Sequence, residues 1–327
     1  MRSWLVLAFL AVGCVPPPPP AAPAIAYPPV MPPPAPAPRG PALGQLEHRM
    51  VDFAFDGGHL EFELYRNGDH VVQIVRNRYA VPLMIAWTMT DLDNVAPLSP
   101  TSGVAYLPAA PAPRGDGPPV VLAELRQIEV GRRYHRQLDF RARFGDPRAV
   151  PTPYSYALPY PRGLAFTVLQ GFHGRFSHRG SNEYAVDFAT PVATPVLAAR
   201  PGIVVAGNAA AQGSGMTPEF LDYRRTNFVL VLHDDGTLGE YMHLAPSSVH
   251  VQAGERVERL QPIALSGNTG FSSTPHLHFQ VMTAATDGIS ARSFPFHLAV
   301  APDRVEEPVQ GRRYAAWEAA APAATAR

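Results

Sequence analysis

The 327-residue chain contains no lysine, a single cysteine and no excess of either charge. Its 27 basic residues, all arginine, balance 27 acidic residues. Because the formal net charge is zero, no global field favours binding to nucleic acid or to an anionic membrane surface. The lone cysteine, Cys14, excludes an intramolecular disulfide framework. The length is sufficient for two domains, each with its own hydrophobic core.

The N-terminus has the pattern of an exported protein. Residues 4–12 form an apolar run that is too short to span a bilayer and is typical of a secretory signal. Leu-Ala-Val-Gly-Cys at residues 10–14 resembles a bacterial lipobox, although its leucine stands one place early. We interpret residues 1–14 as a lipoprotein signal segment in which Cys14 is lipidated. The alternative is an ordinary cleaved signal with an incidental cysteine.

Residues 15–44 are predicted to be a proline-rich linker. From residue 16 to residue 41, 14 of 26 residues are proline, which excludes regular helix or sheet and favours an extended polyproline segment. At ~3.1 Å per residue this linker could reach roughly 80 Å. It suits a tether that holds a globular body away from a membrane.

Residues 45–150 read as a small β-sandwich-like accessory domain. Leu60, Phe62 and Leu64 alternate with less apolar residues, and Asn67-Gly68 provides a hairpin turn signal. Several short strands with turn signals between them favour a sandwich. Nothing here concentrates titratable groups at catalytic spacing. We therefore predict a spacer or binding module, whose ligand the sequence does not name.

Residues 154–302 are predicted to form a second β domain. Asp234-Asp235-Gly236 separates two apolar runs as a hairpin turn. An insertion at residues 208–226 contains glycines and one short helix with Thr217 as its N-cap, and we expect it to form one wall of a groove. Residues 303–327 are predicted to be an Ala-rich tail, either frayed or weakly helical and without function.

The most informative motif is His276-Leu277-His278, followed by an apolar stretch that reads as a strand. Side chains two apart on a strand point to the same face, so two imidazoles are presented together. With an upstream histidine and a carboxylate, three protein ligands are available and a fourth position stays open for water. That pattern is typical of a catalytic zinc site. His233 and His250, at strand ends, are predicted to be structural.

Three blocks of this domain resemble the lysostaphin/LytM-type zinc metallopeptidases of family M23. They are Ser177–Phe188 with the sequence SHRGSNEYAVDF, residues 239–244 with GEYMHL, and residues 267–279, which run from GNTG to HLHF. The resemblance covers only the second domain. It implies an all-β protein whose LytM-like antiparallel β domain has a substrate groove and acts on peptidoglycan stem peptides or cross-bridges.

The resemblance also implies roles for individual residues. His178, Asp187 and His278 would bind one Zn²⁺, and His243 and His276 would be unliganded catalytic histidines. In the family's commonest first block the histidine and aspartate are four apart, whereas here they are nine apart. His173 is therefore an alternative first ligand. The division of roles between His243 and His276 stays open.

Together these features predict an exported zinc metalloendopeptidase that cuts peptide bonds in peptidoglycan. We expect it in the cell envelope, as an outer-membrane lipoprotein facing the periplasm, because no retention aspartate follows Cys14. One alternative is a non-catalytic LytM-like scaffold that binds the wall or activates an amidase. Another is a metalloenzyme that acts on a different exported peptide. The presence of all five site positions favours catalysis.

Overall fold

The computed structural model describes residues 43–318. The signal segment with Cys14, and all but the end of the proline-rich linker, lie outside the described residues. Residues 43–318 belong to one compact unit. Among them, no helix is long and apolar enough to cross a membrane.

The first part of the described chain forms two antiparallel sheets, which confirms the β-sandwich-like prediction. Its eight strands are β1 Gln45–Phe55, β2 Gly58–Asn67, β3 His70–Asn77, β4 Leu83–Asp93, β5 Val95–Pro97, β6 Ser102–Leu107, β7 Pro119–Gln127 and β8 His135–Phe144. One sheet has the strand order β1-β2-β3-β7-β5 and the other has the order β6-β4-β8. The predicted hairpin joins β2 to β3 through Gly68, whose φ of +63° favours glycine.

The second part is also built from strands. They are β9 Ser155–Tyr156, β10 Ala165–Gln170, β11 Val186–Phe188, β12 Pro195–Leu197, β13 Gly202–Asn208, β14 Ser214–Gly215, β15 Phe228–Leu232, β16 Leu238–Met242, β17 Arg256–Val257, β18 Pro262–Leu265, β19 Gly270–Phe271, β20 Leu277–Ala284, β21 Ala291–Phe294, β22 His297–Ala301, β23 Arg304–Glu306 and β24 Arg313–Ala315. Within the described residues the helices are three short 3₁₀ turns, Gly180–Asn182, Pro218–Leu221 and Tyr223–Arg225. Thr217 is the N-cap of the second turn, as predicted, although its side chain makes no capping hydrogen bond.

A nine-stranded sheet is the framework of the second part. Its strand order is β17-β13-β15-β16-β20-β11-β10-β24, and β21 pairs with β20. All of its neighbouring strands are antiparallel. Because side chains alternate along β20, Leu277, Phe279 and Val281 lie in the core behind the sheet. His278 and Gln280 point to the opposite, front face.

The front face of this sheet packs partly against the first two sheets. A single hydrophobic core contains residues of both parts, with Phe144 from β8 and Phe228 from β15 among them. The Phe55 and Phe228 rings meet edge to face at 5.3 Å between centroids, a favourable aromatic geometry. The accessory part therefore covers one end of the face that carries the histidines. Its assignment as a separate domain, with a boundary near residue 150, stays a prediction.

The end of the described chain differs from the expected tail. Strand β24 pairs with β10, and Tyr314 is buried with its carbonyl oxygen accepting a hydrogen bond from the Tyr160 hydroxyl. Trp317 donates from its indole to the carbonyl oxygen of Ala299. The expectation of a frayed or helical tail is thus wrong for residues 304–318. Two aromatic anchors and an open sheet edge outweigh the local alanine content.

Candidate metal centre

The sheet register places Asp187 beside His278. Strand β11 carries Asp187 at its centre, and this residue is paired directly with His278 in β20. Cross-strand partners have Cβ atoms about 4.5–5.5 Å apart on one face. The His278 Nδ1 atom lies 3.0 Å from Asp187 Oδ1, and both residues are buried.

His178 reaches the same carboxylate from the loop before β11. Its Nδ1 atom lies 2.9 Å from the carbonyl oxygen of Gly171. Since a carbonyl oxygen can only accept, Nδ1 must carry the proton and donate. The other ring nitrogen, Nε2, lies 3.1 Å from Asp187 Oδ2. His178 precedes Asp187 by nine residues, and the intervening chain contains the 3₁₀ turn Gly180–Asn182.

These three side chains fit a zinc ion. One ligand atom from each of His178, Asp187 and His278 lies within 4.8 Å of the other two. Two ligands bound at about 2.1 Å to a tetrahedral ion are roughly 3.4 Å apart, close to the separations found here. The buried His178 Nε2 has no hydrogen-bonding partner. In the neutral imidazole this atom is an acceptor that faces an acceptor oxygen, and a shared cation relieves that repulsion.

The charges around Asp187 favour its ionised form. Burial alone raises the pKa of Asp187, but the neighbouring His178 and His278 outweigh it and hold the pKa well below its usual range. Burial lowers the pKa of His178, yet the Asp187 carboxylate, 3.1 Å from its Nε2, prevails and the pKa is raised overall. The pair thus holds a carboxylate ready to bind a cation, with a proton on His178 as the competitor.

His243 and His276 stand next to this group with their rings against each other, 4.5 Å apart at the centroids. The Nδ1 atom of His276 lies 2.8 Å from the Thr274 carbonyl oxygen, and that of His243 lies 2.7 Å from the Thr269 carbonyl oxygen. Both rings are therefore oriented through Nδ1–H and keep Nε2 free. The His276 Nε2 atom is 3.7 Å from Asp187 Oδ1.

Burial, with nearby His276 and His278, lowers the pKa of His243 to about 3, so this imidazole is neutral at neutral pH. Its backbone has φ +61°, in the left-handed region that costs a residue with a Cβ about 1–2 kcal/mol. Backbone strain of this kind is concentrated at functional sites.

The GNTG segment holds His243 in this strained position. Besides accepting from His243, Thr269 uses its hydroxyl oxygen to accept from the backbone N–H of Asn227 at 3.0 Å and to donate to the Leu244 carbonyl oxygen at 2.9 Å. Gly270 follows with φ +82°, and a Cβ there would stand 1.9 Å from Thr226 Oγ1. The segment therefore requires glycine at residue 270.

Gln170, at the end of β10, links the carboxylate to the His178 loop. Its Nε2 atom donates to Asp187 Oδ2 and to the Ser177 hydroxyl oxygen, each at 2.9 Å. Its Oε1 atom accepts from the backbone N–H groups of Phe176 and Ser177 at 3.1 Å. One amide side chain thus fixes both Asp187 and the start of the loop that carries His178.

A cleft of about 1180 Å³ opens in front of these residues. Its lining includes the five site residues except His178, part of β8 and residues 218–224 of the insertion. The expectation that residues 208–226 form a groove wall is confirmed for the second half of this range, which contributes Pro218, Phe220 and Tyr223 among others. The accessory part was predicted as a spacer or binding module, yet it also supplies a wall of the cleft.

The structure brings together the five residues singled out in the sequence. The alternative ligand His173 lies apart from them, largely exposed, with Nδ1 3.2 Å from Glu183 Oε1. His233 is buried and its Nδ1 lies 2.9 Å from the Pro201 carbonyl oxygen, which agrees with a structural role.

Sequence reasoning missed Gln170, because nothing in its local pattern marks it. It also gave the threonine of GNTG no role, although its place beside a conformationally demanding glycine was a usable signal.

The second part of the chain is similar in sequence to known proteins. Residues 181–289 match peptidase family M23, a span that contains Asp187, His243, His276 and His278 but begins after His178. Over 145 residues the chain is 35% identical to the glycyl-glycine endopeptidase ALE-1 of Staphylococcus capitis, covering 44% of this chain and 32% of that protein. Over 127 residues it is 31% identical to the peptidoglycan DD-endopeptidase ShyA of Vibrio cholerae, covering 38% and 26% respectively.

A longer and weaker match reaches beyond the histidine-bearing part. Over 225 residues the chain is 26% identical to the cell division protein DipM of Caulobacter vibrioides, covering 68% of this chain and 33% of that protein. The chain thus spans about a third or less of the length of these relatives. Residues 181–289 of this chain are thus a peptidase family M23 domain.

Proposed function

We propose that this chain is an exported zinc metalloendopeptidase that hydrolyses peptide bonds in peptidoglycan. The observation that carries the proposal is the convergence of His178, Asp187 and His278 within 4.8 Å of one another, at the edge of a cleft large enough for a peptide. The matches to the M23 family and to two endopeptidases support the same reaction class.

The ion would be held by His178 Nε2, by the Asp187 carboxylate and by a ring nitrogen of His278. Bound there, Zn²⁺ supplies a Lewis acid for the scissile carbonyl group and lowers the pKa of water towards neutrality. With only three protein ligands, such an ion would have room for a further ligand. Gln170 keeps the carboxylate oriented, and the Gly171 carbonyl oxygen fixes the His178 tautomer.

Proton transfer falls to His243 and His276. Both present a free Nε2 because Nδ1 is already engaged by a backbone carbonyl oxygen. His276 Nε2 is close to Asp187 Oδ1, so we assign it to take the proton of the attacking water and pass it to the leaving amine. His243 packs against the His276 ring and, in its neutral form, accepts a hydrogen bond from the water or the substrate.

A wall-binding scaffold without catalysis is the alternative. A scaffold requires no metal ligands, whereas here all three candidate ligands are grouped together and His276 Nε2 lies 3.7 Å from the Asp187 carboxylate. We propose the cell envelope as the site of action and peptidoglycan as the substrate. Lipidation of Cys14 and attachment to the outer membrane stay predictions from the sequence.

The test is release of muropeptides from purified sacculi by the full chain, with zinc and with a chelator. The proposal expects new soluble muropeptides only when zinc is present. His276→Gln should lower the release rate by about 10²–10⁴-fold, while His173→Gln, at an exposed histidine, should leave it unchanged. Binding of intact sacculi without any release, in the presence of zinc, would favour the scaffold instead.

A further inference from the structure

The front face of the nine-stranded sheet holds a second acidic group, Glu240, that the proposed reaction does not use. Glu240 is only 2% exposed and lies in β16 directly opposite Gln280 in β20. The next pair on the same face is Met242 with His278. Since two residues of a strand span about 7 Å, Glu240 lies about that far along the sheet from the candidate metal ligand.

The carboxylate of Glu240 is held by neutral donors alone. The Tyr223 hydroxyl donates to its Oε1 at 2.6 Å, and Gln280 Nε2 donates to its Oε2 at 2.5 Å. Among residues 43–318, no arginine or histidine forms an ion pair with Glu240. The nearby Arg143 guanidinium instead stacks over the Tyr223 ring at 5.3 Å and donates to the Ile289 carbonyl oxygen.

A buried carboxylate without a cation is costly even when it accepts hydrogen bonds, and an acceptor beside it is unsatisfied. Gln280 is 2% exposed, and its Oε1 atom has no hydrogen-bonding partner. Glu240, Gln280 and Tyr223 all line the cleft. An orphaned amide oxygen and an uncompensated carboxylate therefore stand together at the end of the cleft next to the accessory part.

We propose that Glu240 and Gln280 form a subsite for a substrate ammonium group, so that the enzyme selects peptides with a free side-chain amine near the scissile bond. Cross-strand partners present their side chains about 5 Å apart, and one ammonium group can donate to both because it carries three hydrogen atoms. Stem peptides with a diamino acid supply such a group. This inference rests on the proposed function, because it assigns the specificity of the same cleft.

The test compares two probes that differ in the acetylation of one amine, which removes its charge and two of its three hydrogen-bond donors. They are a fluorescent stem tetrapeptide, L-Ala-γ-D-Glu-L-Lys-D-Ala, and the same peptide acetylated on the lysine side-chain nitrogen. Binding to the full chain is measured by anisotropy in chelator, so that neither peptide is cut. We expect the free amine to bind about tenfold more tightly, and Glu240→Gln to reduce the ratio of the two dissociation constants to within twofold.

The matched control is Glu63→Gln, since Glu63 is equally buried at 2% exposure but lies outside the cleft and pairs with Arg49 and Arg76. It should keep the tenfold ratio. Equal binding of the two peptides to the wild-type chain, or no binding of either, overturns the subsite even if Glu240→Gln does not fold. Hydrolysis of sacculi is scored separately: its absence contradicts the proposed function, whereas the binding ratio tests the subsite alone.

Discussion

Gln170 donates a 2.9 Å hydrogen bond to the same Asp187 oxygen, Oδ2, that faces His178 Nε2. The same amide accepts from two backbone N–H groups of the loop that carries His178. A carboxylate and a histidine from different segments are thus positioned by one side chain.

Replacing this residue, in Gln170→Leu, should weaken zinc binding by roughly 10- to 100-fold, the usual cost of losing an outer-shell partner. The measurement is competition with a zinc-binding dye at constant pH. Gln252→Leu, at an exposed glutamine, is the matched control and should bind zinc as the wild type does. A Gln170→Leu affinity within twofold of wild type would show that Gln170 does not position the ligands.

The left-handed backbone conformation of His243 should affect the free energy of unfolding of variants at this position. Because φ is +61° there, His243→Gly should be more stable than His243→Ala by about 1 kcal/mol. Urea unfolding of the two variants measures the difference. The exposed His250 does not have a positive φ, so the same two substitutions there should fall in the opposite order. Equal stability of the His243 pair would argue against strain at this residue.

Gly270 and Gly311 separate backbone strain from steric clash. Both have φ near +80°, but an added Cβ meets Thr226 Oγ1 at 1.9 Å in the first case and nothing within 4 Å in the second. Gly311→Ala should cost about 1 kcal/mol of unfolding free energy. Gly270→Ala should cost at least about 2 kcal/mol more and should also reduce activity, since the adjacent Thr269 orients His243. Similar losses in the two variants would mean that the GNTG segment tolerates the extra atom.

His233 should make the fold sensitive to mild acid. Burial lowers its pKa from 6.5 to about 4, so the unfolded chain binds a proton more readily than the folded chain between those values. The contribution of neutral His233 to the free energy of unfolding is complete above about pH 6.5 and is lost as the pH falls towards 4. At pH 5 the loss is about 2 kcal/mol.

The measurement is the unfolding free energy at pH 7 and pH 5 for the wild type and for His233→Gln. The variant should lose about 2 kcal/mol less than the wild type over this interval. A control, His297→Gln, changes an exposed histidine and should follow the wild type. If His233→Gln loses as much stability as the wild type, the depressed pKa is not present in the folded protein.

Much of the site was predictable because strand periodicity is a local property. The motif His276-Leu277-His278 fixes two side chains on one face without knowledge of the fold, and GNTG with its glycines marks a demanding turn. Gln170 was not predictable, since its partners lie 17 and 7 residues away and only the register of β10 with β11 brings them close.

In the fold, too, local patterns were predictable and contacts between distant residues were not. The alternation of Leu60, Phe62 and Leu64 and the turn at Gly68 predicted β2 and β3 correctly. Strand β24 was missed because three residues, Arg313–Ala315, carry no periodic signal, and pairing with β10 decides their structure. The sequence also did not predict that the accessory part covers part of the front face. That contact depends on aromatic side chains far apart in the chain, such as Phe55 and Phe228.

The most direct measurement is a crystal structure of the protein grown with zinc, with anomalous scattering recorded at the zinc absorption edge. We predict one strong peak about 2.0–2.2 Å from His178 Nε2, from an Asp187 carboxylate oxygen and from a His278 ring nitrogen, with His243 and His276 not coordinated. The absence of a peak at these three side chains, or a peak held by other residues, would contradict the assignment of this group as a zinc site.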